Sequence, residues 1–133
     1  MAIQLVGITS AAGSDSGDTT VSLTGLTGGI ASAPAAGDLV LACALTNNAG
    51  SYTPTITDGS VSYTAIAISS GIDTSRANLR AMRKFMSGSP DTSLVFGDTG
   101  SAGDGGAVLV FVFRGVDSTT PLDVTTTVAN GSS

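Results

Sequence analysis

The chain has 133 residues, 41% hydrophobic but only 5% aromatic, with no Trp, no His and no Glu. Its ten acidic residues, all Asp, against five cations give a formal net charge of -5, which argues against a nucleic-acid partner because phosphate binding needs a basic stripe. Without His, and with one Cys, there is no Ser-His-Asp or Cys-His machinery, no His-containing zinc site and no thiolate cluster.

The length suits a single domain over residues 1–128, with 129–133 as a flexible tail. Residues 1–8 lack a basic segment and a long apolar run. No stretch approaches the roughly 18 apolar residues of a membrane span, so neither a secretory signal nor a membrane partner is expected. Short apolar or alternating runs recur between clusters of Gly, Ser, Asp and Pro. That spacing predicts an all-β fold, an antiparallel sandwich of jelly-roll or immunoglobulin-like type with about eight or nine strands.

In chain order, the first strand is predicted over 2–9, followed by a loop over 10–18 and a second strand over 19–24. The third, over 38–46, is apolar on both faces along 39–45, and Cys43 within it reads as a small buried residue. Strands are predicted next over 52–57 and 62–69. In the latter, strict alternation would put Ser62, Thr64, Ile66 and Ile68 on one face and Tyr63, Ala65 and Ala67 on the other, leaving neither face cleanly polar.

The run over 75–86 is the one place where a helix competes. Its residues favour helix individually, but its all-β surroundings favour a strand over 77–86. It also holds four of the five cations, Arg76, Arg80, Arg83 and Lys84, which makes these the candidate subunit-interface residues. As a strand it would place Arg80 and Lys84 on one face with Met82 and Met86, and Arg83 on the other with Leu79, Ala81 and Phe85. Two roles fit: a solvated edge strand guarded by charge, or an electrostatic contact with Asp-rich loops of a neighbouring subunit.

A strand over 93–96 precedes the Gly-rich segment 97–106, read as a chain reversal. Asp98 and Asp104 there lack the carboxylate density of a calcium loop, and no Gly-Lys-Ser or Gly-Lys-Thr follows to engage a nucleotide. No cofactor or metal is expected. The strand over 106–114 is again apolar on both faces along 107–113. Gly115 is suited to the sharp turn that follows, Asp117 and Ser118 to capping it, and Arg114 to pairing with Asp117 or Asp123 before a last strand over 122–128. The two doubly apolar runs should be central strands, covered on both sides or on one side by a neighbouring subunit. Every Asp lies in a turn-like setting, so no catalytic residue is assigned and an enzyme is not expected.

Ala36-Gly-Asp-Leu-Val-Leu41, the basic strand ending Arg83-Lys-Phe85 before Ser-Gly-Ser-Pro, and Arg114-Gly-Val-Asp-Ser-Thr-Thr-Pro-Leu-Asp-Val124 together resemble a recurrent β-sandwich module of bacteriophage virion proteins. That module occurs in tail, fibre and capsid-surface subunits and in some bacterial surface proteins. The resemblance covers residues 36 to 124. Members often carry tryptophans after the Asp-Gly turn and on the basic strand, whereas here Asp58-Gly59 leads to Tyr63 without one. The resemblance implies a non-enzymatic virion protein assembled in the host cytoplasm. It would be a homo-oligomeric capsid-decoration subunit, or else a tail or fibre component, with the major capsid protein or tail proteins as partners. The alternative is a carbohydrate-binding or host-adhesion module gripping a glycan through Asn47, Asn48, Tyr52 and Asp58.

Overall fold

The computed structural model describes residues 2–14, 17–46, 55–58, 63–73, 77–97 and 105–122, and these contain strands and turns with no helix. Nine strands are present among them: β1 (Gln4–Ile8), β2 (Ala12–Ser14), β3 (Thr19–Ser22), β4 (Leu39–Thr46), β5 (Thr55–Thr57), β6 (Thr64–Asp73), β7 (Ala77–Phe85), β8 (Ser93–Gly97) and β9 (Gly106–Arg114). They form two antiparallel sheets. The larger has the order β1-β9-β4-β7-β6, with β2 also pairing on β9, and the smaller has the order β3-β8-β5. The fold is an all-β sandwich whose sheets do not close into a barrel.

The two doubly apolar runs are β4 and β9, and both lie inside the larger sheet. β4 pairs with β9 on one side, from Leu39 opposite Phe113 to Thr46 opposite Gly106, and with β7 on the other. Their β-branched and aromatic residues suit a pleated surface buried along its length. One face of the sheet carries Val108, Val110 and Val112 of β9, Val40, Ala42 and Ala44 of β4, and Met82 of β7. All of these are buried in one core cluster with Val21, Leu23, Ile56, Leu94 and Phe96, which come from the smaller sheet and its flanks.

Residues 77–85 are strand, as their context predicts, because ladders from β4 and β6 flank them on both sides. β7 is therefore an interior strand, which corrects the edge-strand reading of its cations. Two further corrections concern local pairing. β2 falls within the predicted loop over 10–18, where it takes the stretch of β9 beyond β1, with Ala12 opposite Val108 and Ser14 opposite Gly106. In β6 the register shifts between Ala65 and Ala67, so the expected two-residue alternation is broken there. The predicted strand over 122–128 lies outside the described residues apart from Leu122, which is not in a strand, and segment 98–104 lies outside them as well.

The outer edge of β1 is capped by the chain near residues 27–31. Ile8 and Thr27 exchange backbone hydrogen bonds, and the amides of Ile30 and Ala31 donate to Leu5 and Val6 at 3.1 and 3.0 Å. Gly29 makes this approach possible, since a Cβ there would sit 2.3 Å from the Val6 carbonyl oxygen.

Candidate functional site

The residues of β4, β7, β9 and β1 that point away from the smaller sheet form four cross-strand rows. Reading across the sheet, these are Phe85-Leu39-Phe113-Leu5, Arg83-Leu41-Phe111-Ile8, Ala81-Cys43-Leu109 and Leu79-Leu45-Ala107. Apart from Arg83 these rows are apolar, and the Arg83 row continues on β6 with the exposed Thr64. Phe111 and Phe113 stack with ring centroids 6.4 Å apart. Leu45 and Leu79 are 44% and 41% exposed, whereas Leu39, set between Phe85 and Phe113, is buried. Three strand widths and about seven residues of strand give this face a footprint of roughly 350 Å². That footprint is at the low end of the roughly 300–600 Å² of the largest apolar patch on a typical monomer, and half-burial of most of its residues leaves less than this exposed.

Cys43 lies in the middle of this face and is half-buried, which corrects the expectation that it is a core residue. Its partial burial raises the thiol pKa above the ordinary value.

The four candidate cations have separate fates. Arg76 lies outside the described residues. Arg83 stands within the apolar outer face, and its Nε is out of solvent with no hydrogen-bond partner among the described residues. Arg80 and Lys84 occupy the opposite side of β7, beside Ala44 and Val40 of β4.

Lys84 spends its charge within the chain. Its Nζ donates to Asp58 Oδ2 at 2.6 Å and to both carboxylate oxygens of Asp91 at 2.8 and 3.0 Å. Its ammonium stands 5.6 Å from the centre of the Tyr63 ring, and Tyr63 in turn donates its hydroxyl to Asp91 at 3.2 Å. Partial burial pulls the lysine pKa down, but the two carboxylates outweigh it, so the pKa is raised and the charge is kept. Tyr63 is shifted up strongly, by burial first and then by Asp91 and Asp58. Two aspartates thus converge, but the space between them holds an ammonium. The group works as a clasp that ties β7 to the segments flanking β5 and β8.

The two sequence motifs at the ends of the resemblance meet in space. Arg114 at the end of β9 grips Asp38 in a two-pronged ion pair, Nε to Oδ1 at 2.8 Å and a terminal nitrogen to Oδ2 at 2.9 Å. This corrects the expected pairing of Arg114 with Asp117, and Asp123, the other expected partner, lies outside the described residues. Asp38 is only 1% exposed. It also accepts the Ala35 amide at 2.8 Å, while its backbone carbonyl takes the Met86 amide at 2.8 Å. Burial pushes the Asp38 carboxyl pKa up, but the hydrogen bonds from Arg114 and Ala35 outweigh it and hold the pKa below its ordinary value. Gly37 and Gly115, beside the two partners, adopt φ of +82° and +81° and turn the chain at each end of the pair. Asp117 caps the following turn as predicted, accepting the Thr119 amide at 2.8 Å and the Thr120 hydroxyl at 2.9 Å.

Of the glycan-site residues, Asn47, Asn48 and Tyr52 lie outside the described residues, and Asp58 is engaged by Lys84. Tyr63, the other tyrosine, is buried and offers no exposed platform. A cleft of about 240 Å³ between the ends of β1 and β2 and strand β3 is lined by hydroxyls of Thr9, Ser10, Thr20, Ser22 and Thr24, without an aromatic or charged side chain. No protein-family model matches the chain, and no curated protein or solved structure matches it either.

Proposed function

We propose that the chain is a non-enzymatic structural subunit of a bacteriophage particle. It acts as a decoration subunit on the capsid exterior, or else as a tail or fibre component, and it holds its lattice site through the outer face of the larger sheet. The observation that carries this reading is that β4 and β9, apolar on both sides, have one side in the core and the other in a half-buried apolar face on which Leu45 is 44% exposed. A central strand with an apolar outer face gains stability only when another surface removes that face from water, at roughly 25 cal/mol per Å² of apolar area. The resemblance carried by Ala36 to Leu41 and Arg114 to Val124 supplies the kind of assembly. An adhesive role has less support, because among the described residues no exposed aromatic stands beside a groove.

The test is to assemble particles with and without the chain and compare their resistance to heat. Decoration predicts lower resistance without it, and equal resistance contradicts decoration.

A further inference from the structure

We propose that the free edge of β3 and the cleft beside it form a docking site for an extended protein segment, which adds as a fourth strand to the smaller sheet. The site is separate from the outer face of the larger sheet and does not depend on the structural-subunit reading. The smaller sheet has two edges, β3 and β5. At β5 the chain meets its own edge, because the Tyr63 amide donates to the Ile56 carbonyl at 2.8 Å. The edge of β1 in the larger sheet is met in the same way by residues 27–31. The edge of β3 has no such cover among the described residues.

The register of β3 on β8 fixes which main-chain groups face outward. Thr19 lies opposite Phe96 and Val21 opposite Leu94, and the Leu23 amide continues the ladder by donating to the Thr92 carbonyl at 2.9 Å. Hydrogen-bonded and non-hydrogen-bonded pairs alternate in an antiparallel ladder, so Thr19, Val21 and Leu23 turn their main-chain groups to β8 while Thr20 and Ser22 turn theirs away. The N–H and C=O groups of Thr20 and Ser22 thus form two donor and acceptor sets about 7 Å apart, which is the two-residue repeat of an extended chain. Both residues line the cleft. An unpaired sheet edge is a template for another strand, and strand addition satisfies it with main-chain hydrogen bonds. The guard of β3 against such pairing is its shortness alone, since Thr19–Ser22 holds no charge, proline or bulge.

The walls of the cleft set the chemistry of the incoming segment. A volume of about 240 Å³ is the space of about eight waters, enough for a short stretch of extended chain with small side chains. Thr9, in the wall formed by the end of β1, is only 7% exposed, and its Oγ1 accepts the Val110 amide at 3.2 Å. That bond holds the hydroxyl in place and leaves its proton to be donated to a carbonyl of the segment. No charged side chain lines the cleft, so the segment is uncharged there and built from residues such as Ala, Ser and Thr.

The experiment follows amide exchange by NMR in the purified full chain, with the capped peptide Thr-Ala-Thr-Ala-Thr as probe. In the free chain the amides of Thr20 and Ser22 should exchange at least tenfold faster than those of Val21 and Leu23. Peptide at about 5 mM should slow exchange at Thr20 and Ser22 at least threefold, which corresponds to a Kd of about 2.5 mM, and leave Leu41 and Leu109 of the outer face unchanged. The same peptide N-methylated throughout keeps its side chains but loses its donors, and it should have no effect. Thr20→Pro removes one outward N–H at an edge position that tolerates proline, and it should weaken binding at least tenfold with the thermal transition unchanged. If that variant fails to fold, the N-methylated peptide carries the comparison. Protection of Thr20 and Ser22 in the free chain overturns the proposal, as does a chain indifferent to the peptide or equally responsive to its N-methylated form. Methyl glucoside shifting the cleft residues where the peptide does not would make the cleft a glycan site and overturn it as well. None of these outcomes touches the heat resistance of particles, so the structural-subunit reading is judged separately.

Discussion

Replacing Lys84 with Met keeps the aliphatic stem of the side chain and removes only the ammonium that Asp58 and Asp91 share. A hydrogen bond to a charged group contributes about 1.5–3 kcal/mol, and breaking a fully buried ion pair costs about 3–5 kcal/mol. Here the three side chains remain 14–20% exposed, so water recovers part of the loss. The expected destabilisation is about 2–4 kcal/mol. With an unfolding entropy of about 2.1 cal/mol/K per residue, a chain of 133 residues has about 0.28 kcal/mol/K, so Tm should fall by about 7–14 °C. Urea denaturation and thermal melts followed by circular dichroism measure it. In a background already carrying Asp58→Asn and Asp91→Asn, the same substitution should cost under about 1 kcal/mol, because the carboxylates it would strand are gone. A cost under about 0.5 kcal/mol in the wild-type background would refute the clasp.

The same clasp sets an alkaline limit. The lysine pKa is raised from 10.5, so its contribution is complete below that value and is lost as pH rises through the higher folded value; Lys84→Met should remove this share of the decline. At the other end, Asp38 is held below its ordinary 3.8, so its contribution is present above that value and is lost as pH falls through the lower folded one. Asp38→Asn should flatten this part of the acid limb in urea midpoints taken across pH 2 to 5. Phe96→Ala empties a fully buried site in the smaller sheet and should cost about 3–5 kcal/mol by denaturant unfolding. Gly29→Ala forces a Cβ against the Val6 carbonyl and should cost about 1–3 kcal/mol, with faster amide exchange at Ile30 and Ala31.

The central strands were legible because 39–45 and 107–113 are apolar at consecutive positions between turn signals, a pattern that suits interior strands. β7 was legible from context and not from its own residues, whose helix preference is overruled by ladders on both sides. β2 was not legible: Ala12-Gly-Ser14 has no strand character, and it pairs because β9 runs past the end of β1 and leaves hydrogen-bonding groups to satisfy. The ion pairs were hidden for another reason. Asp38 and Arg114 are 76 positions apart, and Asp58 and Asp91 look like turn residues until the sheets bring them to Lys84. Charge alone grouped Lys84 with Arg83, although the pleat sends them to opposite faces, one to a clasp inside the chain and the other to the half-buried outer face.

Cys43 gives the most direct test of that surface, because the only thiol in the chain lies in the middle of it. The measurement is the rate of maleimide alkylation of Cys43 in the dilute purified chain and in the assembled particle. Covering of the outer face predicts steady modification in the dilute chain and at least tenfold slower modification in the particle. Equal rates in the two states would contradict it.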